Sequence, residues 1–231
     1  MSGDLAHFDA ERTAEYQQRA HLFIPGYQTI HALTLALLQG VLGPEARLLV
    51  AGIGTGKEAE VLCQEPGWRL TGVDPSASML RVCQAMLVER GMTERVELVE
   101  GQVSGLPETP LYDAATAILI WHFIPDDGAK LDFVQALARR LKPGGELVLV
   151  NHFSVLDYSD GPLHRTAWGH YAHHGGWGSL KEITEKIADR ATRLHSVSQT
   201  RQAELLAQAG FGPPRPFFQA LSFGGWLARK V

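Results

Sequence analysis

Apolar positions recur along the chain in two rhythms. Between Tyr27 and Gln39 the residues Ile30, Leu33, Leu37 and Leu38 fall at helical spacing, and Gly40, Gly43 and Pro44 close the segment. Leu48-Leu49-Val50-Ala51 then runs apolar without a break, as suits a strand covered on both faces. The pattern continues as a helix over 56–64, a strand over 69–73, a helix over 76–90, and strands over 96–100 and 114–120. A helix over 131–141, a turn at Lys142-Pro143-Gly144-Gly145 and a strand over 146–150 follow. Strands separated by helical patterns predict crossover units and an α/β fold with a mostly parallel sheet. A polar stretch over 10–21 reads as a further helix, interrupted by Pro25-Gly26.

The character changes after Val150. Seven of the ten histidines fall from His122 onward, and His164, His170, His173 and His174 crowd one stretch. Gly175, Gly176 and Gly178 stand around Trp177 there. Helices over 179–193 and 200–209 and two last strands over 217–221 and 223–228 complete the chain. No repeat or low-complexity linker divides it, so 1–231 reads as one domain. Its parts are N-terminal helices over 1–45, a core over 46–150, an insertion over 151–195, and a last helix and strands over 196–231.

Composition narrows the class. The 231 residues are 45% apolar and 20% charged, an ordinary globular balance. No apolar run reaches the roughly 18 residues of a membrane span. Met1 to His7 lacks the basic patch and apolar core of a secretory signal. Two cysteines, Cys63 and Cys83, fit a reducing cytoplasm, the expected location. A net charge of −4 gives no general field for nucleic acid.

The sharpest local signal is Gly52-Ile53-Gly54-Thr55-Gly56, between a predicted strand and a predicted helix. Glycines there permit a tight turn and close approach of the backbone to a ligand. The next strand ends at Asp74, 22 residues after Gly52. A carboxylate so placed can accept hydrogen bonds from both ribose hydroxyls of an adenosine. Together these features point to an adenosine-containing cofactor at strand C-termini. A nicotinamide fingerprint wants glycine at the sixth position, which here is Lys57.

The spacing Gly-x-Gly-x-Gly resembles the loop of class I S-adenosylmethionine methyltransferases. Val73-Asp74-Pro75-Ser76 resembles that family's second motif, Val99-Glu100-Gly101-Gln102-Val103 its third, and Leu141-Lys142-Pro143-Gly144-Gly145-Glu146-Leu147 the turn before its fifth strand. The resemblance implies a Rossmann-like sheet of seven strands with the last antiparallel, and S-adenosyl-L-methionine as cofactor. Phe8-Asp9, Pro25-Gly26-Tyr27, Ala209-Gly210-Phe211, Phe218-Gln219 and Phe223-Gly224 resemble the carboxy-S-adenosylmethionine synthase family of tRNA wobble-uridine modification. Carried over from it, Tyr27 meets the cofactor's methionine end, with Gly52, Ile53, Gly54 and Gly56 as loop contacts. Asp74 and Pro75 become the ribose pair, Gln102 and Val103 the adenine pair. Ile118 stands where that family has an asparagine, Glu204 where it has a carboxylate-binding arginine (Arg201 lies one turn away), and Val50 where both families carry an acid. The missing arginine favours methyl transfer over synthesis of the carboxylated cofactor, and a non-catalytic cofactor-binding module is a further alternative.

Acceptor chemistry has several candidates. His122 and His152 follow the fourth and fifth strands at the ligand-binding edge. Each is either a general base or a packing residue. His170 and His174 would share a helix face, but no third ligand completes a zinc site, so no metal is expected. The stretch 151–195 reads as a helical lid over a small-molecule acceptor. The synthase family forms oligomers, which implies a possible homodimer. Phe217, Phe218, Phe223 and Trp226 suit either an interface or the sheet core.

Overall fold

A computed structural model describes residues 19–154 and 161–231. A helical turn over 19–23 leads into α1 (Tyr27–Val41), β1 (Arg47–Ala51), α2 (Lys57–Leu62), β2 (Arg69–Asp74), α3 (Ala77–Glu89) and β3 (Val96–Glu100). Then come β4 (Tyr112–Ile118), α4 (Ala129–Arg140), β5 (Leu141–His152), α5 (Gly161–His174), α6 (Leu180–Arg193), α7 (Gln199–Gln208), β6 (Arg215–Ala220) and β7 (Phe223–Arg229). Phe8-Asp9 and most of the helix predicted over 10–21 lie outside the described residues.

All seven strands form one sheet in the order β3-β2-β1-β4-β5-β7-β6. β1 to β5 pair in parallel, and β7 runs antiparallel to both β5 and β6. This is the α/β, Rossmann-like sheet expected from the sequence. The unbroken apolar runs follow from two covered faces. Leu48 and Val50 join Leu38, Leu62, Leu80 and Leu87 of α1, α2 and α3, while Leu49 and Ala51 join Leu137 of α4 and Leu205 and Leu206 of α7. Each large apolar side chain so buried contributes about 1.5–3 kcal/mol. Ser76 caps α3 by accepting from Met79 N at 3.3 Å, and Ser179 closes a capping box with Glu182 on α6.

Three features differ from the sequence reading. The turn predicted at 142–145 lies inside β5 as a bulge. Tyr112 pairs with Leu141 and Ala114 with Glu146, so β5 loops out the residues between. β4 stops at Ile118, short of the predicted end, because Leu119 takes φ 61 and turns the chain out of the strand after a last bond from its N–H to Val150 O at 2.7 Å. Helix α5 arises where the pattern showed no apolar stripe. Its buried side is Trp168, Gly169 and Ala172, so one indole does the packing that several aliphatic residues do elsewhere.

The stretch between β5 and α7 joins the main core rather than standing off it. Trp168, Ile183 and Ile187 cluster with α1 to α3, and Trp168 Nε1 donates to Phe23 O at 2.6 Å. Phe223 and Trp226 are buried in the sheet, while Phe217 and Phe218 are half-buried. Among the described residues no helix is long and apolar enough to cross a membrane.

Candidate functional site

The sheet reverses its order of growth at β1. β2 and β3 lie on one side of it, β4 and β5 on the other. The C-terminal ends of β1 and β4 therefore bound the crevice in which such sheets take ligands. The glycine loop forms one lip. Gly52 N and Ile53 N both donate to Val73 O, at 2.7 and 3.2 Å, so the loop extends the β1–β2 pairing before it bends. Gly52 has φ 72 and lies so close to β4's exit that a Cβ there would stand 2.5 Å from Ile120 Cγ2. Gly54, at φ 54, faces open space, its nearest neighbour being Gly52 O at 3.9 Å. It is a cradle that any side chain would fill. Gly56 packs against Met86 and Cys83 of α3.

Asp74 closes the other side. Its Oδ2 accepts from Gly54 N and its Oδ1 from Ser76 N, both at 2.9 Å. Burial raises the carboxyl's pKa, and these two backbone donors oppose the shift. Pro75 follows directly. Gly101 N donates to Asp74 O at 3.0 Å, which brings the turn holding Gln102 and Val103 beside the same acid. Gln102 is exposed and Val103 buried. Tyr27 opens α1 and meets His31 edge-on at 4.8 Å. His31 is held down to about 4 by burial and by the nearby Lys57 ammonium of α2, which repels a protonated imidazole. Ile118 is buried at the end of β4.

His122 and His152 meet across the far lip. His152 N donates to His122 Nδ1 at 3.1 Å, which makes Nδ1 an acceptor and places the His122 proton on Nε2. The His152 ring reaches Ser196 Oγ at 2.7 Å through Nδ1. It also stands 5.5 Å from the Trp168 ring and 5.3 Å from Phe223. Burial pushes His152 down to about 4 and, aided by the charges of His152, Lys130 and Arg190, holds His122 well below the usual imidazole range. Both rings are neutral near pH 7.

Four residues escaped the sequence reading. Ser196 and Trp168 partner His152. Lys130 is fully buried, and its Nζ donates to Trp121 O and Ile124 O, each at 2.6 Å, clamping the turn that carries His122. Glu58 is buried at the start of α2; its position beside Ala59 and one turn before Leu62 was the available signal. His170 and His174 stack at 6.2 Å on the exposed side of α5.

Residues 48–145 match the family model described as a methyltransferase domain. Over this stretch the chain is similar to methyltransferase domains. The carboxy-S-adenosyl-L-methionine synthase of Klebsiella pneumoniae (strain 342) is 25% identical over 230 residues, covering 95% of this chain and 90% of that protein. Among solved structures, a putative sarcosine dimethylglycine methyltransferase from Galdieria sulphuraria aligns with TM-score 0.66 and 18% identity, over 89% of this chain and 86% of that one. The Burkholderia thailandensis 1,6-didemethyltoxoflavin-N1-methyltransferase aligns with TM-score 0.63 and 21% identity, over 96% and 86%. The chain is an enzyme that uses S-adenosyl-L-methionine as its cofactor. The open cradle at Gly54 and the carboxylate of Asp74 beside it fit that molecule.

Proposed function

We propose that the chain transfers the methyl group of S-adenosyl-L-methionine to a small-molecule acceptor. The observation that carries this is the bond from Gly54 N to Asp74, which joins an open glycine cradle to a ribose-binding acid at the crevice between β1 and β4. In this reading the chain works as one unit, with 46–150 holding the cofactor and 151–195 covering the acceptor. Gly52, Ile53, Gly54 and Gly56 cradle the amino-acid half, with Tyr27 over it. Asp74 and Pro75 hold the ribose, Gln102 and Val103 the adenine, and Ile118 packs beneath. When bound, the cofactor supplies an already activated sulfonium methyl group. The protein's part is to orient the acceptor and exclude water. His122 and His152 are neutral, the first ring held by His152 N and the second by Ser196 Oγ, and they give the acceptor hydrogen bonds and shape rather than charge. The ring wall of His152, Trp168 and Phe223 suits a compact, partly apolar acceptor. A bound heteroaromatic substrate in the Burkholderia thailandensis structure agrees with that class.

Synthesis of a carboxylated cofactor is the second reading, favoured by relatives of that name over most of the chain. Against it, Glu204 sits where a carboxylate-binding arginine is wanted. Arg201, the nearest alternative, is bonded to Asp126 at 3.0 and 3.2 Å and to Glu204 at 3.3 Å. Mass spectrometry separates the two. Incubation with S-adenosyl-L-methionine, a panel of small heteroaromatic, hydroxyl and amine acceptors, and prephenate as the carboxyl donor of the synthase family should add one methyl group to an acceptor. Appearance of a carboxylated cofactor instead would reverse the order.

A further inference from the structure

The first turn of α2 buries an acid beneath the glycine loop. Glu58 is 5% exposed, and its Oε1 is buried with no hydrogen-bond partner. α2 begins at Lys57, straight after Gly56, so Glu58 stands two residues past the loop. Its carboxyl lies beside the Thr116 hydroxyl of β4. Thr116 pairs in register with Val50, two residues before Gly52. The carboxyl thus lies against β4 at the level of Val50, below the bend, and neither Glu58 Oε1 nor Thr116 Oγ1 is hydrogen-bonded.

A buried acceptor left unpaired is costly, and a native structure that keeps one calls for a reason. The other acids around the loop are already committed. Glu60 is ion-paired to Lys57 at 2.8 Å and to Arg90 at 3.1 Å, and Asp74 accepts from Gly54 and Ser76. If the cofactor's amino-acid half lies on the loop, as proposed above and as this step requires, its ammonium group needs an anionic partner there. We propose that Glu58 is that partner, recognising the ammonium of the amino-acid half from beneath the loop. The resting state of the group agrees. Burial pushes its carboxyl up to about 8, against the opposite pull of Thr116, and an arriving ammonium favours the ionised form. Binding then releases a proton. His31, which faces the same turn, is already neutral, and Lys57 and Glu60 neutralise each other.

Titration calorimetry with two probes tests this: S-adenosylhomocysteine, and 5′-methylthioadenosine, which shares the adenosine and thioether but lacks the amino-acid half. In Glu58→Gln, affinity for S-adenosylhomocysteine should fall about tenfold, while that for 5′-methylthioadenosine changes by less than about twofold. With the unaltered protein, titrations in buffers of different ionisation enthalpy should show a proton released by S-adenosylhomocysteine and none by 5′-methylthioadenosine. If folded Glu58→Gln weakens both probes equally or neither, Glu58 is not the partner, although the cofactor site stands. Binding of neither probe by the unaltered protein would remove the site itself and this assignment with it. Should Glu58→Gln not fold, equal proton release by the two probes is sufficient to overturn the assignment.

Discussion

The two lips of the crevice are built in opposite ways. On the β1–β3 side, the binding surface is backbone: short turns after successive strands, with Asp74 joining Gly54, Ser76 and Gly101 within a stretch of parallel pairing. On the β4–β5 side it is buried side chains drawn from distant segments. His152 reaches Ser196, 44 positions on, and Trp168 of α5 bonds Phe23 across 145 positions. The first lip can hold a constant molecule with little dependence on side-chain identity. The second takes its shape from a few rings, so it is the lip that can vary with the acceptor. A substitution on the first lip should therefore remove binding with little loss of stability, and one on the second should reach the fold.

Gly54→Val gives the largest expected effect. The side chain would occupy the cradle, and S-adenosylhomocysteine binding should fall below detection by calorimetry. The left-handed backbone at φ 54 adds a cost of about 1–2 kcal/mol, which leaves the cooperative melt in place. Retained affinity would mean that the cofactor does not lie on the loop. Asp74→Ala follows on the same lip, with a loss of about 1–3 kcal/mol in binding.

On the other lip, Lys130→Met should act on stability first. The ammonium is fully buried on two carbonyls, 5.0 Å from the Trp121 ring, and burial holds its pKa down to about 8. Removing it leaves Ile124 O without its donor and Trp121 O with only Ile124 N, which costs about 1–3 kcal/mol in urea unfolding. Resonances of His122 should shift as the turn loosens. A variant as stable as the parent would show the clamp to be idle.

The same division decided what the sequence could reveal. The glycine loop and Asp74 were readable because glycines mark where the backbone must bend, and the parallel strands announced themselves as apolar runs. The strand ends brought His122 and His152 into view separately. Their contact depends on the adjacency of β4 and β5 and on a tautomer, neither of which has a local sequence signature. Helix α5 was expected only as part of a helical lid without bounds, because Trp168 replaces a periodic stripe. Lys130 stands just before the helix predicted over 131–141 with no local mark of burial, and only the tertiary position of Trp121 and Ile124 shows it. Glu58 was passed over because an acid beside a glycine loop reads as surface.

The smallest effect is also the most specific to the second lip. His152 is half-buried between Trp168 and Phe223, and desolvation of its ring lowers its pKa from 6.5 to about 4. Above the higher value both folded and unfolded chains hold it neutral, and it makes no pH-dependent contribution. As the pH falls through 6.5, the unfolded chain gains a proton that the folded one refuses until about 4, so stability falls with acid across that window. Near pH 5 the loss from this ring is about 2 kcal/mol. His31 and His122 act in the same direction, while Glu58, raised to about 8, gains stability for the fold as the pH falls, so the parent's own profile mixes several groups. His152→Gln isolates one of them. The variant lacks Ser196's ring partner and should be less stable than the parent at neutral pH. The gap between them should then narrow by about 2 kcal/mol near pH 5, because only the parent pays to keep the ring neutral. Urea unfolding of both proteins at the two pH values measures it. A gap that does not change with pH would mean that the folded protein accepts the proton freely, and that this lip is wetter than its aromatic wall implies.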